Sequence, residues 1–226
     1  MYRLHGVYDW GSLVVHMALE EIGAEFEFVQ LDPSQGDLAR PSYLALNPFG
    51  LVPVLETPEG PMFETTAILL YLADRHGALA PAPDARDRGA FLVWLAVLCQ
   101  QLHPMVLQVI HPERLLGPEG QRAVADATYR RLQDICAQLE ARAQQGDWWL
   151  SAQRPSIVTL YMAMLLRWAQ ALPPYRAHIL PLADYPALQA IVAALERRAP
   201  IARVLAREGL SAAMANPLSA PLYEGA

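Results

Sequence analysis

The sequence predicts a chain in two parts, an α/β domain over residues 1–79 followed by an all-α domain over residues 85–226. Two observations carry that division. Through the first 80 residues short extended runs alternate with helical ones, whereas beyond them the apolar residues recur at helical spacing only. Between the two patterns lies Ala80-Pro81-Ala82-Pro83-Asp84, where two prolines block helix continuation and remove backbone donors.

Within the first part, residues 2–4 form a short extended run, and residues 13–22 carry apolar side chains at helical spacing up to Gly23, a helix-terminating residue. Residues 25–31 set Phe26 and Phe28 against polar neighbours, as a half-buried strand does, and so close a βαβ unit whose connection should be right-handed. A polar stretch over 32–40, a helical turn over 43–46 and the turn Asn47-Pro48-Phe49-Gly50 precede a strand over 52–56. Glu59-Gly60 then folds the chain into Pro61-Met62-Phe63 as a hairpin, and a helix starting at Glu64 or Thr65 runs to His76, before Gly77. In the second part helical patterns cover residues 87–109, 120–143, 156–171 and 185–208, and a proline- and glycine-bearing tail reads as loosely ordered.

Composition narrows the function. Of 226 residues 54% are hydrophobic and 18% charged, which argues for a packed core and leaves apolar surface for a subunit interface. The longest apolar stretches, such as 91–99, fall far short of the roughly 20 residues of a membrane-spanning helix, so no membrane partner is expected. The N-terminus shows no basic region followed by an apolar core and cleavage site, which makes the cytoplasm the expected compartment. Seventeen basic against twenty-three acidic residues give a net charge of -6 without a Lys/Arg cluster, which speaks against nucleic acid. Cys99 and Cys136 lie in helix-patterned apolar segments and read as core thiols; no close His/Asp/Glu pair stands out, so no metal is expected.

Two segments carry chemistry. In NPFGLVPVL, residues 47–55, a proline at the head of an apolar strand offers no amide to a sheet ladder. Either Pro53 is an ordinary trans residue on an edge, or a cis Val52-Pro53 bond turns the Val52 amide and carbonyl outward, where they can pair with a short extended peptide. In ETTAI, residues 64–68, a helix N-terminus offers unpaired amides and a partial positive charge to a carboxylate, Thr65 adds a hydroxyl, and Glu64 suits an ammonium group. Equally, Thr65 is a plain N-cap and Glu64 a dipole-stabilising acid.

Taken together, strand-helix-strand, VP at a strand start and an ETTAI helix start resemble the glutathione S-transferase superfamily, bacterial in type though of no assignable class. The second half agrees: GDWWLSAQRPSIVTLYMAMLLRWA, residues 146–169, resembles the family's loop and buried core helix, and residues 182–210 its last long helix and following turn. The resemblance implies a thioredoxin-like N-terminal domain plus an all-α helical domain, the glutathione transferase fold. It implies that Val52, beside cis Pro53, pairs with the cysteinyl part of glutathione while Glu64 and Thr65 hold its γ-glutamyl end. It further implies a homodimer and a cleft for a small hydrophobic electrophile, lined by the helix over 87–109 and the tail.

The family places its thiol-activating group after the first strand or near the first helix, usually a tyrosine, serine or cysteine that stabilises the thiolate. Here the stretch is Val7-Tyr8-Asp9-Trp10-Gly11-Ser12, with Gly11 where one class has cysteine and Asp9 where others have serine. Asp9, when ionised, has no proton to donate. That leaves Ser12, an N-cap or a thiolate donor, and Tyr8, active-site or packing; His5 is in reach but reads as structural. Thr159 stands where the family's helix cap usually has aspartate, three residues after Ser156. Gln100, Gln101, His103 and His111 interrupt an apolar helix, at a kink before Pro104 or as cleft-lining groups. The leading activity is therefore attack of the glutathione thiolate on an electrophilic carbon, in detoxification. The alternatives are glutathione-dependent disulfide or peroxide reduction, and non-catalytic binding of glutathione or a hydrophobic ligand.

Overall fold

The computed structural model describes residues 1–210, so the tail read as loosely ordered lies outside the described residues. The chain divides into two compact units, one comprising Met1–Arg88 with Ala199–Leu210 and the other Gly89–Arg198.

The first unit opens with β1 (Tyr2–Gly6), α1 (Ser12–Ile22) and β2 (Phe26–Gln30), passes through the short α2 (Pro41–Leu44), and continues as β3 (Val54–Thr57), β4 (Gly60–Phe63) and α3 (Thr65–His76). The four strands make one mixed sheet in the order β2-β1-β3-β4. β1 runs parallel to β2, with Tyr2 opposite Phe26, and antiparallel to β3, with His5 opposite Val54. α1 buries Leu13, Val14, Val15, Met17, Ala18 and Leu19, and stops at Gly23, whose φ of 72° is the left-handed conformation glycine adopts without strain. Val52 and Pro53 fall before β3 rather than inside it, and the Val52-Pro53 peptide is cis.

Residues 185–208, which the sequence reads as one helix, form two: α8 (Pro186–Glu196) and α9 (Ala199–Arg207). Pro200 has no amide to join a ladder begun in α8, but fits the first turn of a new helix. α9 packs on α1 and buries Ile201, Val204 and Leu205.

The helical unit holds α4 (Arg88–Val97), a π-helical turn over Leu98–Leu102, α5 (His103–Ile110), α6 (Pro118–Ala143), α7 (Ile157–Ala171) and α8. The His103 amide reaches back five residues to the Leu98 carbonyl, a wide turn directly ahead of Pro104. Arg88–Ile110 runs 23 residues and is long and apolar enough to cross a membrane by length and composition alone, a test that the core helix of a globular protein also passes. Its second half is nonetheless built into this unit: α5 lies on α6 and α7 and buries Met105, Val106, Val109 and Ile110. α8 starts under a buried carboxylate, Glu140 of α6, which accepts the Ala187 and Leu188 amides at 2.9 and 3.0 Å. Cys136 is buried, which pushes its thiol up to about 12, whereas Cys99 is half-buried.

His103 is absorbed by this core. Its Nδ1 lies 2.6 Å from the Tyr161 hydroxyl and its ring packs on Tyr161 and Trp168, while Gln100 and Gln101 stay exposed. Burial pushes the imidazole down to about 4 from its ordinary 6.5. The unfolded chain therefore binds the proton first, so stability falls as pH drops from 6.5 towards about 4, by up to about 1.4 kcal/mol per pH unit from this group. Urea unfolding of His103→Gln against the parent should show a flatter pH dependence across that window; parallel curves would contradict the assignment.

At the start of α7 the Ser156 hydroxyl accepts the Val158 and Thr159 amides at 3.1 and 3.4 Å, and the Thr159 hydroxyl accepts the Ser156 amide at 3.3 Å. Both hydroxyls also donate to the Trp149 carbonyl. The threonine thus returns the reciprocal contact and adds a donation that an ionised aspartate lacks. Ser156→Ala, which strips two helix amides, should cost about 1–2 kcal/mol in denaturant unfolding and more than Thr159→Val.

Candidate active site

The first unit brings three separated pieces of sequence to one place. A β-carbon on Gly11, at the start of α1, would stand 3.4 Å from the Val52 carbonyl oxygen, 3.6 Å from Pro53 Cδ and 3.7 Å from Thr65 Oγ1. Gly11, Val52, Pro53 and Thr65 are thus neighbours, although the sequence separates Gly11 from Thr65 by a strand pair and a long loop.

Each piece is fixed by local chemistry. Ahead of Val52, the Leu51 carbonyl accepts both the Asn47 side-chain amide at 2.7 Å and the Tyr43 hydroxyl at 2.8 Å, while Asn47 Oδ1 accepts the Phe49 amide. The turn residues are thereby clamped, and no hydrogen bond within the described residues uses the Val52 amide or carbonyl. Glu64, not Thr65, is the N-cap of α3, and its side chain makes no cap bond. The Ile68 amide takes the Glu64 carbonyl, which leaves the Thr65, Thr66 and Ala67 amides at the helix mouth without a ladder partner. Glu64 itself is exposed, with φ 72° and ψ 109°, a region a non-glycine residue occupies only at a cost.

The candidate thiol-activating residues divide sharply. Ser12 is not the N-cap that its position suggests; Gly11 is, and Ser12 opens the helix fully buried. Its hydroxyl accepts the Val7 amide at 3.1 Å and donates its one proton to the Val7 carbonyl at 2.8 Å. Gly6 makes that approach possible, since a β-carbon there would lie 2.5 Å from Ser12 Cβ. Tyr8 is half-buried with its ring on Phe28, centroids 5.2 Å apart, and its hydroxyl has no hydrogen-bond partner among the described residues. His5 is turned to the sheet, with Nε2 2.7 Å from Glu56 Oε1. Gly11 faces the site but contributes no side chain.

Sequence reasoning passed over two residues here, His16 and Glu208. Glu208 Oε2 accepts the Asp9 amide at 2.8 Å and Oε1 lies 2.6 Å from His16 Nδ1. A histidine amid the apolar positions of α1 was the available signal.

A four-stranded sheet flanked by α1 and α3, with a cis proline and a helix N-terminus converging beside the first loop, defines a thioredoxin-like unit, here joined to a helical unit. The family model "Glutathione S-transferase, N-terminal domain" matches residues 1–74. The chain is 35% identical over 130 residues to "Glutathione S-transferase 4" of Zea mays, covering 56% of this chain and 58% of that protein. It is 32% identical over 160 residues to "Glutathione S-transferase" of Silene vulgaris, covering 67% and 74%. Of solved structures, a sphingomonad glutathione S-transferase complexed with glutathione is similar at TM-score 0.74 and 28% identity, covering 92% of this chain and all of that one. The glutathione S-transferase from Xylella fastidiosa is similar at TM-score 0.78 and 25% identity, covering 93% and 100%. This chain belongs to the glutathione S-transferase superfamily.

The backbone at Glu64 yields a test. Glu64→Gly should raise stability by about 1 kcal/mol, because glycine adopts a positive φ freely, whereas Glu64→Ala keeps the strained backbone and should not. Thermal unfolding of both variants checks this, and a gain with alanine equal to that with glycine would contradict it.

Proposed function

We propose that this chain is a glutathione transferase that stabilises the glutathione thiolate for attack on a small hydrophobic electrophile. What carries the reading is the convergence of the Val52 carbonyl, Pro53 and the Thr65 hydroxyl around Gly11, at the mouth of a helix whose first amides are uncapped. In this reading the Val52 backbone pairs with the cysteinyl residue of glutathione. The α3 amides and the Thr65 hydroxyl take the γ-glutamyl carboxylate, and Glu64 takes its ammonium group. The thiol then lies near the loop over 7–11, as expected for a family whose solved members include glutathione complexes.

For thiol activation the proposal now favours Tyr8 over Ser12. A serine whose only proton is held by the Val7 carbonyl must break that bond before serving a thiolate, whereas the Tyr8 hydroxyl has no competing partner among the described residues. Binding without catalysis is the second reading, favoured by the absence of any donor at Gly11 and by Asp9 beside it. We extend the proposal to a cytoplasmic homodimer acting in detoxification with no metal; exposed Phe49 and Leu51 on one unit, and Leu92 and Val93 on the other, offer it apolar surface. The helical unit would supply the electrophile's binding surface.

Glutathione titration by calorimetry, together with pH–rate profiles using a chlorodinitrobenzene, tests both parts. Thr65→Ala should weaken glutathione binding by about 1.5–3 kcal/mol, the usual worth of a hydrogen bond to a charged group. Tyr8→Phe should lower turnover roughly tenfold to hundredfold and raise the apparent thiol pKa, while Ser12→Ala should act on stability. An unshifted thiol in the parent complex selects the binding reading, and no binding at all removes both.

A further inference from the structure

Glu208 lies one residue past the end of α9, with its side chain fully buried. The C-terminus of a helix is the wrong place for a carboxylate, because the helix dipole is negative there and cations are favoured. Burying a carboxylate is also costly unless its oxygens are satisfied. The residue is therefore not explained by α9, and its partners lie elsewhere. Oε2 accepts the Asp9 amide at 2.8 Å, and Oε1 faces His16 Nδ1 at 2.6 Å. The other ring nitrogen of His16 is buried without a partner among the described residues. Among the described residues, the one hydrogen bond of the His16 side chain is with Glu208.

What Glu208 holds is the segment that bears Tyr8 and Gly11. Asp9 sits at φ 59°, a left-handed conformation uncommon for non-glycine residues, though aspartate adopts it more readily than most. Its amide ends on Glu208. A second connection runs through rings: His16 packs on Phe28 at 5.0 Å between centroids, and Phe28 packs on Tyr8 at 5.2 Å. Docking of α9 on α1 does not need the carboxylate, because Ile201, Val204 and Leu205 are buried there and Arg203 pairs with Glu20 at 2.9 Å.

We propose that Glu208 is a positioning residue of the transferase site: through the Asp9 amide and His16 it fixes the loop over 7–11, so that Tyr8 and Gly11 meet the thiol held by Val52 and Thr65. The inference rests on the proposed function for its catalytic consequence and on Glu208 alone for the loop.

The test compares Glu208→Ala, Glu208→Gln and Val204→Ala in the full chain. It reads thermal stability, calorimetric glutathione affinity, kcat and KM with a chlorodinitrobenzene, and hydrogen exchange at the Asp9 amide. Misplacing a catalytic group by about 1 Å costs up to about a hundredfold, so Glu208→Ala should lower kcat by at least about tenfold while glutathione affinity changes by less than about threefold. Exchange at Asp9 should quicken. Glu208→Gln, which still offers an oxygen to Asp9, should fall between Ala and the parent in both readouts, and it carries the test if the alanine variant does not fold. Val204→Ala loosens α9 packing only, and should lower stability without moving kcat or Asp9 exchange. Equal kcat losses in Glu208→Ala and Val204→Ala at matched stability, or unchanged Asp9 exchange in both Glu208 variants, would overturn the proposal. A parent that neither binds glutathione nor turns over would sink the proposed function instead, and Asp9 exchange would still decide whether Glu208 holds the loop.

Discussion

The first unit depends on how closely α1 approaches the end of β1. Ser12 closes that gap by exchanging two hydrogen bonds with the Val7 backbone, inside a contact that admits no side chain larger than hydrogen at Gly6. Val7 lies just past the last strand residue, and while its carbonyl also accepts the Trp10 amide at 3.1 Å, its amide has no ladder partner; a buried peptide group left unpaired costs about 1–3 kcal/mol. The serine thus resolves the strand-to-helix transition without water. Because the helix start is fixed to the strand end, the four residues between them, 8–11, must bow outward, and this outward loop is what meets Val52 and Thr65.

A related solution, a side chain satisfying backbone groups that regular structure leaves over, recurs at several junctions. Asn47 and Tyr43 share the Leu51 carbonyl ahead of Val52, Ser156 and Thr159 close the start of α7, Glu140 caps α8, and Glu208 takes the Asp9 amide. α3 breaks the series. Its N-cap side chain makes no bond, and the cap residue is held at a strained positive φ. A cap without a side-chain bond is shared by α1, α2 and α6; what sets the mouth of α3 apart is a non-glycine cap residue at positive φ, beside a Val52 carbonyl unused among the described residues.

Much of this was legible in the sequence because it is local. Gly23 and Gly77 end α1 and α3 as their positions imply, the β3–β4 hairpin forms as expected though its turn is Pro58-Glu59, one residue ahead of Glu59-Gly60, and the Ser156 cap follows from a three-residue spacing. The break between α8 and α9 was legible too, in Pro200, but the apolar periodicity on either side masked it. What left no local trace was the pairing of His16 with Glu208, 192 positions apart, and the identity of Ser12 as a staple rather than a cap. A hydroxyl at a helix start satisfies either role. Only the tertiary position of the Val7 carbonyl decides which.

That distinction bears directly on the chemistry. A thiolate needs donors whose protons are not already engaged, since moving a hydrogen bond from a carbonyl to a thiolate gains only the difference between the two, while a donor without an internal partner gives the whole of the charge-assisted bond. Around this loop the engaged donors include the Ser12 hydroxyl and the Trp10 amide, both on the Val7 carbonyl, and the Asp9 amide on Glu208; the Tyr8 hydroxyl is not engaged within the described residues. Positions 9 and 11 carry an acid and a glycine, and Ser12 is turned inward onto Val7. Under the proposed function, activation of the thiol falls to the Tyr8 ring, which packs on Phe28 in the loop whose Asp9 amide ends on Glu208. On that proposal the two demands on glutathione are separated: affinity would reside in the residues ahead of β3 and in the start of α3, and reactivity in a loop tied to Glu208, 199 positions away in sequence.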